Sequence, residues 1–258
     1  MISTEGRLAN YPFALLSELR DAANEHGYRI GPEEAGGWIF FRSASAPGEI
    51  ALAAASANGP FFVSISLQGV AQALHYNAAG PSAKGHAGAF MFATRDALRT
   101  GVQATYQLSV SLPDFPLEKY ERAVSGLGET EGARVQKFRI GQDIFREALI
   151  EFWNGTCPLS GISTPCLLRA SHLRPWSHCE TDSQRLDVHN GLLLSPLWDA
   201  AVDAGLVTFD DSGRVLPSDR LEDAARDALN INTAPIIKLS ERHLRYLSYH
   251  RSHVWVRV

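Results

Sequence analysis

Thiols are scarce: the 258-residue chain holds three cysteines, Cys157, Cys166 and Cys179. An odd, sparse set is no framework for a disulfide-stapled secreted domain, so the chain reads as cytoplasmic with reduced thiols. No two cysteines form a CxxC pair, so the spacing offers no structural Zn²⁺ knuckle, and Cys157 and Cys166 read as small core residues. Long apolar runs are missing too, so no membrane span and no membrane partner are expected. The opening residues MISTEGRLANYPF lack a basic stretch followed by an apolar one, so no secretory leader is expected. Positive charge is short, with a net charge of −4. That average hides a basic end, where Lys238, Arg242, Arg245, Arg251 and Arg257 face only Glu241 over residues 238–258. Such an end on an acidic body suits a nucleic-acid contact and equally suits a solvated face.

What remains is an ordinary globular composition, 45% hydrophobic and 20% charged, in a length that suits one large domain or two small ones. Tyr11–Gly27 has apolar residues Phe13, Leu16, Leu19 and Ala23 at helical spacing. The runs Trp38–Phe41, Ile50–Ala55 and Phe61–Leu67 are broken by Pro47-Gly48 and Asn58-Gly59-Pro60, which predicts an antiparallel meander. A short helix is predicted over Val70–His75, and a mobile Gly/Ala/Ser-rich loop over 77–88, holding Lys84 and His86. A strand at Phe90–Ala93, a short helix at Arg95–Gly101 and a strand at Ala104–Val110 complete an N-terminal α+β module without a repeat or a known motif. Breakers and acids over 112–132 predict a linker with a helix from Leu117 inside it, and a boundary near Gly132. The expected domains are therefore 1–132 and 133–258.

The second half is richer. Phe138–Trp153 carries Ile140, Ile144, Ala148 and Phe152 on one stripe and stops at Asn154-Gly155. Cys157–Gly161 reads as a turn. Leu206–Phe209 and Arg214–Leu216 flank Asp210-Asp211-Ser212-Gly213, a hairpin signal, and Leu221–Leu229 and Leu239–Tyr249 read as closing helices. Between them, Cys166–Gly205 reads as strand, loop, strand and helix. His172 ends the first strand before Pro175, Asn190 precedes the apolar Gly191–Leu194, and Asp199 and Asp203 share one helix face at i, i+4. An imidazole suits proton abstraction, a carboxamide suits orientation, and helical carboxylates suit a hard divalent cation. The duller readings stay open. His172 could be a core histidine, Asn190-Gly191 a plain turn, and Asp199 a first-turn acid. Arg169, Arg174 and Arg185 surround the site as phosphate clamps or as ordinary loop arginines, and Trp176 and Trp198 read as core.

The ordered set Cys157-Pro-Leu-Ser-Gly161, Ala170-Ser-His172, Asn190-Gly-Leu192 and Asp199…Asp203-Ala-Gly205 resembles the HNH endonuclease family, over about residues 134–215. Arg139-Ile-Gly-Gln142 and Phe145-Arg146 resemble the lead-in helix of its restriction-endonuclease-like subgroup. The resemblance implies a ββα-metal fold with flanking helices, His172 as general base, Asn190 as the middle asparagine, and Asp199 and Asp203 as metal ligands. Two departures stand out. Ser171 occupies a place where many members carry an acid or histidine, and Asp199 replaces the last histidine, which favours Mg²⁺ or Mn²⁺ over Zn²⁺. The implied activity is metal-dependent hydrolysis of DNA; double-stranded DNA is the expected partner, and since cutting both strands takes two sites a homodimer is expected, with RNA or single strands as a further alternative. The implied setting is restriction, modification-dependent cutting included, with the N-terminal module choosing the target and Arg242 and Arg245 adding DNA contacts. The alternative is a DNA-binding protein on a degenerate HNH fold.

Overall fold

The computed structural model describes residues 10–74, 76–78, 80 and 82–257. His75, the expected end of a helix, and the first nine residues lie outside them. Contacts divide the chain into two compact units, Met1–Leu112 and Pro113–Val258.

The first unit is a five-stranded antiparallel meander in sequential order, β1 Ile30–Ala35, β2 Trp38–Arg42, β3 Glu49–Ala54, β4 Phe61–Ile65 and β5 Gly88–Phe92. Four of these follow the predicted runs. β1 was not predicted, because IGPEEA has no strand pattern. It survives as an exposed edge, where a proline and two glutamates are tolerated and deter further pairing. One sheet face is buried with α1, Phe13–Glu25, and α3, Arg95–Ser111. In α1 the inward stripe is Leu15, Leu19, Ala22 and Ala23, while Phe13, expected inside, is 83% exposed.

α3 corrects a second expectation. Gly101 does not stop a helix before a strand; one continuous helix runs through Ala104–Val110. A Cβ at Gly101 would strike the Phe92 ring, so glycine there lets the helix lie close against β5. The short helix α2 spans Gln68–Ala73. The loop before β5 is tied down rather than loose at His86, whose ring meets Ser64 Oγ at 3.0 Å and Glu49 Oε1 at 3.3 Å.

In the second unit α4, Asp114–Val124, buries Tyr120 against the same core as α5, Glu131–Phe152. Thr130 caps α5 by accepting from the Ala133 N–H. The breaker-rich stretch is thus a packed helix, a turn and a cap, and the units separate at Leu112/Pro113 rather than near Gly132. Asn154 and Gly155 end α5 with φ of 52° and 59°.

Next come β6 Arg169–His172, α6 Asp182–Leu186, β7 Gly191–Leu194 and α7 Pro196–Asp203. The hairpin β8 Val207–Phe209 with β9 Val215–Pro217 follows, then α8 Asp223–Ala228 and α9 Glu241–His253. β6 and β7 pair antiparallel with His172 opposite Gly191. A side chain at Gly191 would collide with the Phe145 ring, so its absence seats α5 on the ribbon. Leu192, Leu193, Leu194, Phe145, Leu149 and Val202 fill the core around it. Among the described residues no helix is long and apolar enough to cross a membrane.

Candidate active site

Successive side chains on a strand leave on opposite faces. On β6 this sends Ser171 toward α7 and His172 toward α5, because Ser171 Oγ meets Asp203 Oδ1 at 3.4 Å and the His172 ring stacks on Phe145. The centroids of that stack are 3.9 Å apart at 18°. The Trp176 ring stands edge-on to the imidazole at 5.6 Å.

His172 Nε2 lies 2.9 Å from the carbonyl oxygen of Arg185. A carbonyl only accepts, so Nε2 carries the proton and Nδ1 keeps its lone pair in the neutral ring. Burial pushes the imidazole down to about 4, against the Arg185 carbonyl, which favours the charged form. The ring is therefore neutral at physiological pH.

Asn190 sits apart from this chemistry. It is fully buried, and its amide closes the loop between the two strands. Oδ1 accepts from the Arg174 N–H at 2.8 Å, while Nδ2 donates to Gln184 O at 3.0 Å, Arg174 O at 3.2 Å and Cys179 Sγ at 3.3 Å. With both ends of the amide used, Asn190 faces neither the His172 ring nor the carboxylates. It acts on His172 only through the loop, since Gln184 precedes the residue whose carbonyl holds the imidazole.

The carboxylates do come together. Asp199 lies in the first turn of α7 and Asp203 one turn on. Burial raises both carboxyls above the usual range; Asp199 raises Asp203 further, and the Ser171 hydroxyl opposes the shift at both. Arg169, two residues before Ser171 and so on its side of β6, also draws Asp199 down. Ser171, Asp199 and Asp203 form a cluster of hard oxygen atoms with Arg169 nearby. Among the described residues no three His, Cys, Asp or Glu side chains gather around one point.

The arginines divide into two groups. Arg174 donates to His178 O and Glu180 Oε1 and lies 4.6 Å from the Tyr249 ring centroid. Arg185 is spent on Trp176 O, Asp182 Oδ1 and Cys179 O. Both hold the loop, the second of the two places open to them in the sequence. Arg242 and Arg245 lie exposed on α9, with no hydrogen bond or ion pair among the described residues. Arg169 is exposed and bonds only to main-chain oxygens. All three cysteines are free; Cys157 and Cys179 are buried, and Cys166 is exposed rather than core.

Phe145, Trp176 and the Arg185 carbonyl are partners of His172 that residue order does not single out. Gly141 and Gly191 were the available signal, since each stands where a Cβ would strike the Trp176 or the Phe145 ring. A comparison with protein families finds that residues 157–210 match the family described as HNH endonuclease. That match covers the turn, both strands, α7 and the start of the following hairpin. No curated protein matches the chain.

Proposed function

We propose that the second unit is a DNA endonuclease dependent on a divalent cation, with His172 as general base and Asp199 and Asp203 as cation ligands. The observation that carries the proposal is the arrangement on β6. From opposite faces of the strand, neighbouring residues present a neutral imidazole whose Nδ1 keeps its lone pair and a hydroxyl bonded to the carboxylates of Asp203 and Asp199. Two carboxylates and a hydroxyl suit Mg²⁺ or Mn²⁺, which take oxygen ligands and keep several waters. They suit Zn²⁺ less well, because it favours imidazole and thiolate ligands over an all-oxygen set. When bound, the cation supplies charge neutralisation at the phosphate and its leaving oxygen.

The chain's own work is then proton transfer and orientation. Nδ1 of His172 takes the proton of the attacking water while Nε2–H stays on the Arg185 carbonyl, so the ring cannot flip to the wrong tautomer. Phe145 and Trp176 keep it from rotating. Asn190 keeps the loop, and so the carbonyl, in place. Arg169 stands beside Asp199, where a phosphate oxygen would meet it, and Arg242 and Arg245 add a phosphate contact on α9.

Plasmid nicking with Mg²⁺ or Mn²⁺ tests this, comparing wild type with His172→Ala and Asp199→Ala. Loss of nicking in both variants with retained folding supports the assignment. A second reading is favoured by Ser171 and by the opposite directions of Ser171 and His172: a DNA-binding protein on a degenerate HNH fold. Retained DNA retardation with no cleavage under any divalent cation establishes that alternative. For the whole chain the proposal extends to target choice by the first unit, to a homodimer that cuts both strands, and to a restriction setting in the cytoplasm, including modified DNA. Gel filtration and cleavage of methylated against unmethylated plasmid check these.

A further inference from the structure

The loop from Arg174 to Leu186 approaches His172 with its main chain; Asn190 ties it from outside, and Arg185 ties it from within. Arg185 donates from Nη1 to Asp182 Oδ1 at 2.8 Å, from Nη2 to Cys179 O at 2.5 Å and from Nε to Trp176 O at 3.4 Å. Its guanidinium also lies 5.9 Å from the Trp176 ring centroid. Three of its five N–H groups are thus bound within the loop. The same residue offers its carbonyl to His172 Nε2 at 2.9 Å. Trp176, which the guanidinium steadies, stands edge-on to the His172 ring and packs on Gly141, where a Cβ would come within 2.5 Å of it.

We infer that Arg185 is a positioning residue, not a phosphate ligand: its guanidinium folds the loop around Trp176 so that its own carbonyl fixes the tautomer and direction of the His172 imidazole. The carbonyl belongs to any residue at this place, but its aim depends on the fork. A lysine carries the same charge yet cannot reach Trp176 O, Cys179 O and Asp182 at once. The inference rests on the nuclease reading only where cleavage is the readout.

Arg185→Lys in the full chain separates the two roles. A positioning role predicts that kcat for plasmid nicking with Mn²⁺ falls tenfold or more while KM stays within twofold. Retardation of a metal-free duplex oligonucleotide, and its salt dependence, then stay as in wild type. Nitrogen-15 spectra of the metal-free protein, with His172 assigned against His172→Gln, should show one Nε2–H tautomer in wild type and a mixture in Arg185→Lys. A phosphate-ligand role predicts near-normal kcat, since the charge is kept, and an unchanged tautomer; that result overturns the inference. If wild type cuts nothing, the nuclease reading fails, and the tautomer comparison still decides the role of Arg185. A single tautomer in both proteins refutes it.

Discussion

Replacing Asn190 with alanine asks whether the middle asparagine serves the loop or the cation. The substitution removes the acceptor of the Arg174 N–H and the donor to Gln184 O, at 2.8 and 3.0 Å, in a place closed to solvent. A buried group left without a partner costs about 1–3 kcal/mol. Some of this returns if water enters the space left behind, so a loss of about 3 kcal/mol is expected overall. For a body of this size that lowers the melting temperature by roughly 6–12 °C. Trp153, Trp176, Trp198 and Trp255 lie in the second unit and only Trp38 in the first, so tryptophan fluorescence during urea unfolding follows the affected part. Nicking should fall by roughly 100-fold, since a small misplacement of a reacting group can cost that much. Mn²⁺ affinity by calorimetry should not change, because Asn190 bonds to neither Asp199 nor Asp203. Normal stability together with lost Mn²⁺ affinity would refute this reasoning and make the amide a ligand.

Acid should unfold the second unit through its histidines. Burial holds His172 down at about 4 and His243 at about 3, against an ordinary value of 6.5. Both bind protons more readily unfolded, so stability is full above 6.5 and is lost as pH falls toward those values; His172→Gln should flatten urea midpoints measured between pH 7 and 5. Asp203→Asn should raise the melting temperature of the metal-free protein at neutral pH, because the raised carboxyls of Asp199 and Asp203 oppose folding when both are charged; it should also abolish nicking. If Arg242 and Arg245 each meet a phosphate, replacing both with alanine should flatten the slope of log K against log salt by about 1.8, and an unchanged slope removes α9 from the interface.

The elements that were legible are those whose burial follows a simple period. β2, β3, β4, α5 and the β8–β9 hairpin lie where alternation, stripe or turn residues put them. α3 was split in two because Gly101 looks like a terminator, and only the Phe92 ring across the gap explains it. β1 was missed since an edge strand buries little and need not alternate. At the candidate site, residue types and order single out His172, Asp199 and Asp203 as candidates, but not which way each points. That depends on β6 alternation and on a loop closed by Asn190 and Arg185. For Arg174 and Arg185 the choice between phosphate clamp and loop arginine stays open in the sequence, which does not show main-chain oxygens converging on a guanidinium.

The pairing of His172 with Gly191 leaves no tolerance for an insertion or deletion along β6. Moving the strand by one residue would turn the imidazole onto α7 and push the serine against the Phe145 ring. The imidazole would then lose the Arg185 carbonyl, and the two carboxylates of α7 would lose the serine hydroxyl. Length variation in relatives should therefore gather in the 174–186 loop or beyond α7, and lineages that alter this strand by one residue should have given up the chemistry.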